Sequence, residues 1–532
     1  MLTGSPTPWS YVFIRLLFRF VLKIFYGTIV VENTHLIPET GKPCIVCANH
    51  SNSLTDALLL VTSIPPKKRN MLRLTAKSTQ FGHKTFTSWL IESAGTVPIQ
   101  RRKDIADSEV DNTEAMRKLL EALETGDAVC LFPEGLSRYH PTIAPLKTGV
   151  ARLVADVLSR NKGNPEFEIS ILNCSITYMH RQHFRSDVLV TFHPPMTFNP
   201  RDNPELVDPV DFKDIRALTA RMHQVISSGT IDSPTWALLR IAKLAARMYA
   251  PLGTFMTLGD HIRVIRVFLE LFKAIEPSSH TSETVAAESS GPISQISQLH
   301  DDLKDYQDWL ASSGIKDDRI RRPLSRQTII SRLFIRFIWA IVLFTLSLPG
   351  LILWLPIFIT TFTAVHSFTK TGPIFDTYDE IAQYKLTYGL ISGLCVWLTA
   401  SLFMWRYDIT LTGVLSVPAL MWISLRWFED AVSSFRAFLS LLRLLYVGNV
   451  ALKNVHAKRQ DLHGQVMNLA IETLGLPDDP ERYFVSAGGR EKGRVRGPWE
   501  SSVRYFSIRR RRKRDWNETL RLYDKVDYPE TS

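Results

Sequence analysis

His50 and Asp56 stand six residues apart in ANHSNSLTDALLL, residues 48–60. An imidazole beside a carboxylate can take a proton from a hydroxyl. The ring acts as general base, and the carboxylate holds its tautomer and supports the imidazolium, for a gain of roughly 10²–10⁴-fold in rate. On one continuous helix a six-residue step turns through roughly 240°, which would point the two side chains apart. His50 must therefore lie on a turn after a strand, with Asp56 in the first turn of the next helix, pointing back. The same letters also allow a plainer reading. Ser53-x-x-Asp56 has the form of a capping box, so these could be turn residues and a helix cap.

Three further stretches carry groups suited to an anion. LFPEGLSRY, residues 131–139, follows an apolar run and holds Glu134, Gly135, Ser137 and Arg138. Gly135 would let backbone N–H groups approach an anion, while Ser137 and Arg138 supply a hydroxyl and a fixed positive charge. Lys147, in PLKTG, is placed to open a helix, whose free N–H groups also favour anions. AGTVPIQRRK, residues 94–103, begins near Gly95 and ends in Arg101, Arg102 and Lys103. A guanidinium suits bidentate phosphate binding. Taken singly, each cation reads more simply as a solvated strand end.

The elements that must position these groups follow from periodicity. Apolar runs at 43–48, 95–99, 128–132, 168–176 and 188–192 read as strands. Helical patterns occupy 53–61, 109–124 and 146–158 between them, then 214–228, 235–249 and 258–275. Strands separated by helices predict an α/β domain with a mainly parallel sheet flanked by helices. Ligands of such sheets bind at the strand C-terminal ends, where the His–Asp turn and the Glu-Gly box would lie. Residues 277–298 are rich in Ser, Thr and small residues and read as a flexible linker. A polar helix is expected at 301–312.

Apolar segments bracket this domain. Residues 8–26 carry only Arg15, Arg19 and Lys23, a basic stripe on an otherwise apolar helix, with aromatic residues at both ends. This predicts a helix lying in the membrane interface with its cations snorkelling, with a soluble core helix as the other reading. The stretch has no small-residue cleavage site after it and does not read as a cleavable leader. Residues 337–365 are free of charge but broken by Pro349-Gly350 and Pro356, giving one kinked span or a re-entrant hairpin. Charge-free runs at 386–405 and 409–425 bring the expectation to two to four membrane passes. With basic clusters on both flanks facing the cytosol, the number of full passes is even.

Lys plus Arg is 63 and Asp plus Glu 52, a net charge of +11. That suits an anionic membrane surface or anionic substrates. No interleaved basic and aromatic motif points to nucleic acid. Four of the five cysteines lie in apolar runs that read as strands, which argues for reduced, buried thiols, and Cys44-x-x-Cys47 lacks the second ligand pair a zinc site needs. RRRRKR, residues 509–514, reads as a solvated tail touching anionic lipid.

In the order NHSNSLTD, GTVPIQR, FPEGLSRY and PLKTGVARL, the chain resembles the glycerolipid acyltransferase superfamily. CSITYMHRQHFRSDVLVTF, LLRIAKLAARMYAP and DDLKDYQDWLASSGIKDD are similar to the fungal glycerol-3-phosphate and dihydroxyacetone-phosphate O-acyltransferase branch. The resemblance implies an acyl-CoA-dependent sn-1 acyltransferase of phospholipid and triacylglycerol synthesis. His50 would be the general base and Asp56 its partner. Gly95 and Arg101 would serve the acceptor phosphate. Glu134, Gly135 and Ser137 would complete the acceptor site, with Arg138 and Lys147 as further candidates. It implies direct transfer, with acyl-CoA as co-substrate and neither cofactor nor metal.

The implied organisation is an interfacial helix (1–28), an acyltransferase domain (29–275), a linker and polar helix (276–330), a transmembrane region (331–450) and a cytosolic helical segment with a basic tail (451–532). The implied setting is the endoplasmic reticulum membrane, cytosolic face, with lipid droplets as a further location. Two features depart from the superfamily pattern. Five residues separate His50 from Asp56 where four are usual, and Asn173 stands where the fourth box usually carries proline. A lysophospholipid acyltransferase and a catalytically inactive membrane scaffold are the competing readings.

Overall fold

The computed structural model describes residues 2–100, 112–250, 254, 256–275, 292–321, 324–405 and 410–486. The strands are β1 (Thr28–Glu32), β2 (Cys44–Ala48), β3 (Thr75–Lys77), β4 (Val97–Ile99), β5 (Ala128–Leu131), β6 (Ile169–Tyr178), β7 (Asp187–Phe192) and β8 (Met196–Phe198). The main sheet runs β1-β7-β6-β2-β5, with β8 on β6. The pairs β1–β7, β2–β6 and β2–β5 are parallel, while β7 and β8 run antiparallel to β6. β2 and β6 are buried along their whole length. This is why CIVCA reads as a continuous apolar run rather than an alternating one, while β6 buries Ser170, Asn173, Ser175 and Thr177 among its apolar residues.

The first helices are α1 (Trp9–Phe25), α2 (Leu54–Ser63), α3 (Phe86–Ser93), α4 (Thr113–Glu124), α5 (Gly149–Arg160) and α6 (Phe212–Gly229). The apolar stripes of α4, α5 and α6 close one core against the sheet, through Leu119, Leu123, Val154, Leu158, Met222 and Ile226 among others. α1 buries Tyr11, Leu22 and Phe25 and leaves Trp9, Val12, Phe13, Leu16 and Phe20 exposed. One of its basic residues turns inward instead of snorkelling, because the Arg15 guanidinium donates to the Ile64 carbonyl at the end of α2. Free carbonyls at a helix C-terminus attract a cation.

The remaining helices are α7 (Trp236–Tyr249), α8 (Leu258–Ile275), α9 (Pro292–Ser313), α10 (Asp317–Arg321), α11 (Arg326–Thr369), α12 (Ile374–Thr377), α13 (Ile381–Trp405), α14 (Thr410–Val447), α15 (Asn449–Asn468) and α16 (Pro480–Ser486). The chain divides into two compact units, one of Met1–Asp232 with Thr371–Leu386, the other chiefly of Ser233–Lys370 with Thr387–Lys492. In the second unit the buried Asp317 carboxylate receives Arg459 in a two-point pair (2.8 and 3.0 Å) and the Tyr306 hydroxyl (2.9 Å). α11 and α14 pack closely at Gly350, where an added Cβ would meet the Ser424 side chain.

Several expectations shift. β4 covers three residues and pairs with β3 in a separate two-stranded sheet. α5 begins at Gly149, so Lys147 precedes the helix and is tied instead to the Pro133 carbonyl (2.8 Å). Residues 292–298, read as linker, form the first turns of α9, with Pro292 at its start, a position proline favours. α7 and α8 belong to the second unit. α11 runs unbroken through Pro349 and Pro356. By length and composition α11 and α13 are apolar enough to cross a membrane, and Gly413–Val447 with Asn449–Thr473 form a pair bent by 104°. The expected helix start at 109–111, the linker at 277–291 and the tail motif at 509–514 lie outside the described residues.

Candidate active site

β2 and β5 run parallel with Cys47 opposite Leu131, so their continuations emerge on one edge of the sheet. Past β2, the buried Asn49 amide donates to the Ile176 carbonyl (2.9 Å) and accepts its N–H (2.7 Å), prolonging the ladder toward β6 by a side chain. That contact fixes where His50 begins. The His50 Nδ1–H donates to Asp56 Oδ2 at 3.0 Å. The Asp56 carboxylate is fully buried and also accepts the N–H groups of Ser51 (2.9 Å) and Asn52 (2.8 Å), while its other oxygen receives the Tyr178 hydroxyl (2.5 Å).

Burial and the neighbouring Asp56 charge push the Tyr178 hydroxyl well above its ordinary range, so it remains a donor. The Tyr26 hydroxyl accepts from the Asn52 amide (3.1 Å), and the His50 ring stacks on Phe132 at 4.2 Å. Among the described residues His50 Nε2 has no partner, and the side chain is 15% exposed.

The turn absorbs its extra residue at Ser53, whose φ of 44° and ψ of −133° lie where residues with a Cβ are strained. Ser53 does not cap α2 through its side chain. Its hydroxyl donates instead to Gln383 (3.0 Å), and Asp56 reaches back to the amides of Ser51 and Asn52. The capping-box reading is thereby corrected: the acid serves the turn and the imidazole together.

The Glu-Gly box meets His50 through the backbone. Glu134 is buried and accepts the N–H of His50 (2.5 Å) and of Ala144 (3.0 Å), one on each oxygen. Desolvation pushes its carboxyl up, and those two amides pull it partly back. Gly135 has φ +79°, and a Cβ there would meet the Lys147 side chain, which lies over it. Arg138 and Lys147 are exposed, and among the described residues neither forms an ion pair. Ser137 donates to Asp379, a buried carboxylate from the segment between α11 and α13. Gly95 lies against the Arg73 guanidinium, which pairs with Asp127 (2.7 Å), so it acts as local scaffold.

Arg101, with Arg102 and Lys103, lies outside the described residues. Asn173 is buried, with its amide on Met196 (3.6 Å). No group of three or more His, Cys, Asp or Glu that could hold a metal ion occurs among the described residues. All five cysteines are free thiols, Cys395 exposed and the others buried. Asn49, Tyr178 and Asp379 were not singled out from the sequence. Tyr178 lies within a stretch quoted for the resemblance, and its tyrosine hydroxyl was the available signal.

Residues 28–177, which contain the His–Asp turn and the Glu-Gly box, match the family described as Acyltransferase. The chain carries an acyltransferase domain. Residues 241–371 match the Glycerol-3-phosphate acyltransferase 2 C-terminal domain. The chain is 25% identical over 305 residues to Glycerol-3-phosphate O-acyltransferase 2 of Saccharomyces cerevisiae, covering 56% of this chain and 38% of that protein. It is 24% identical over 403 residues to Uncharacterized acyltransferase C1718.04 of Schizosaccharomyces pombe, covering 70% and 56%. Glycerol-3-phosphate O-acyltransferase 1 of Saccharomyces cerevisiae is 22% identical over 290 residues, 53% of this chain and 36% of that protein. The chain thus spans between 36% and 56% of the length of these relatives. The acyltransferase domain match ends at Tyr178's neighbour, so the hydroxyl that completes the Asp56 cluster stands at its boundary.

Proposed function

We propose that this protein moves a fatty acyl group from acyl-CoA to the sn-1 hydroxyl of glycerol-3-phosphate, with dihydroxyacetone phosphate as a second acceptor, at the surface of the endoplasmic reticulum membrane facing the cytosol. The observation that carries the reading is the His50–Asp56 pair at 3.0 Å, its carboxylate held by three further donors at the sheet edge shared with the Glu-Gly box. With Nδ1–H donated to Asp56, Nε2 is the basic nitrogen. It takes the proton of the acceptor hydroxyl as that oxygen bonds to the thioester carbonyl carbon. The tetrahedral intermediate then expels the CoA thiolate, which recovers the proton from His50.

Arg138 and Lys147 bind the acceptor phosphate, joined by Arg101. Glu134 and Gly135 shape the site, Glu134 by fixing the His50 backbone and Gly135 by admitting the Lys147 chain. The names of the yeast relatives support glycerol-3-phosphate as acceptor. The test uses purified protein in detergent with labelled acyl-CoA and glycerol-3-phosphate. His50→Ala should lower kcat by roughly 10²–10⁴-fold with folding intact. Undiminished turnover by a folded His50→Ala protein would sink the mechanism.

A further inference from the structure

TGPIFDTYDEIAQYKL, Thr371–Leu386, follows the long apolar helix α11 and includes the start of α13, yet it belongs to the same compact unit as the acyltransferase domain. Its contacts are specific. The Phe375 carbonyl accepts the Tyr139 N–H (3.1 Å), and the Tyr139 and Tyr378 rings sit 5.4 Å apart. Glu380 approaches Lys77 at 3.8 Å. Gln383 accepts the Ser53 hydroxyl (3.0 Å) and the Leu54 N–H (3.4 Å) at the start of α2. The segment is therefore held both at the His–Asp turn and beside the Glu-Gly box.

Asp379 points inward from it and is 3% exposed. One carboxylate oxygen accepts the Ser137 hydroxyl; the other is buried and, among the described residues, has no hydrogen-bond partner. Leaving a buried carboxylate oxygen unmet is costly, so a missing donor is the natural explanation. Burial raises the Asp379 carboxyl, as does the neighbouring Glu380 charge, while the Ser137 hydroxyl and the backbone N–H of Asp379 itself draw it partly back.

The two acceptors differ at one carbon. Glycerol-3-phosphate carries a hydroxyl on C2, a hydrogen-bond donor. Dihydroxyacetone phosphate carries a carbonyl there, an acceptor only. C2 is bonded to C1, whose hydroxyl His50 addresses. We propose that the unpartnered oxygen of Asp379 accepts a hydrogen bond from the C2 hydroxyl of glycerol-3-phosphate and so selects it over dihydroxyacetone phosphate. This rests on the acceptor site described under Proposed function. A carboxylate facing a carbonyl oxygen gains nothing and stays unpaired, and a site built around a substrate hydroxyl rejects analogues that lack it.

The experiment measures kcat/KM of the full chain in detergent, with one acyl-CoA and three acceptors: glycerol-3-phosphate, dihydroxyacetone phosphate and 3-hydroxypropyl phosphate, which has no oxygen on C2. The unaltered protein should favour glycerol-3-phosphate over both others by roughly 10- to 100-fold, the worth of a hydrogen bond to a charged group. Asp379→Asn, whose amide can donate, should lower the preference over dihydroxyacetone phosphate at least tenfold. Asp379→Ala should bring the preference over 3-hydroxypropyl phosphate close to one.

An unaltered protein that uses all three within twofold, or that prefers the ketone, overturns the assignment without any variant. Variants that lose activity on every acceptor by the same factor also overturn it, since Asp379 would then only support the fold. Failure of the unaltered protein to acylate any of the three would refute the proposed function itself and this inference with it.

Discussion

At the scale of single residues, Asp56 holds the site together. Its carboxylate takes four donors, and only one of them is the imidazole. The Tyr178 hydroxyl arrives from 122 positions away in the chain, at the end of β6. Tyr178→Phe removes that donor and leaves a fully buried oxygen unmet, a loss of roughly 1.5–3 kcal/mol for a bond to a charged group. The expected outcome is a kcat reduced by about tenfold or more with the acceptor KM little changed, because in the proposed mechanism Asp56 orients the base and does not touch the acceptor. A variant whose kcat matches the unaltered protein would remove Tyr178 from the positioning network. The His50–Asp56 pair was legible in the sequence because both partners share one turn. Tyr178 and Asn49 were not, because their partners are set by β6 lying beside β2, a pairing no local spacing encodes.

At the scale of elements, the decisive piece is the entry to α2. Five residues separate His50 from Asp56, and the chain accommodates them by holding Ser53 at φ 44°. Glycine tolerates that backbone and alanine does not. Ser53→Gly should therefore be more stable than Ser53→Ala by roughly 1–3 kcal/mol, since both lose the hydroxyl bond to Gln383 and only glycine relieves the strain. Thermal unfolding of the two variants side by side reads this directly, and equal Tm values would show that Ser53 carries no strain.

The wider spacing was visible as a departure from the superfamily pattern, but its backbone cause was not. The buried strands β2 and β5 were legible from short apolar runs, and β6 from a longer stretch rich in apolar residues. β1, β3 and β8 were not: TIVVE, TAK and MTF each carry polar or charged residues that leave no continuous apolar run. The start of α9 was hidden by its Ser-rich surroundings. Its buried stripe of Leu299, Leu303, Tyr306 and Leu310 begins only one to two turns later.

At the scale of the whole molecule, the site is discontinuous. Thr371–Leu386 joins the unit of the acyltransferase domain although α11 separates them in sequence. The connection between α11 and α13 must therefore open on the same side of any bilayer as that domain. Cysteines placed at Gly372 and at the exposed Lys162, in a background where the exposed Cys395 is replaced by serine, should be labelled by an impermeant maleimide from the same side of sealed vesicles. Labelling from opposite sides would contradict this placement.

The strap of residues 371–386 also sets an order of events during synthesis. Chains emerge and fold from the N-terminus onward. The acyltransferase domain can form its sheet and its His–Asp turn early, with Ser53, Leu54 and Ser137 still lacking Gln383 and Asp379. Those partners leave the ribosome only after all of α11, so the site is finished only once the long apolar helix has been synthesised. A nascent chain thus lacks its finished site until a helix long and apolar enough to cross a membrane has left the ribosome.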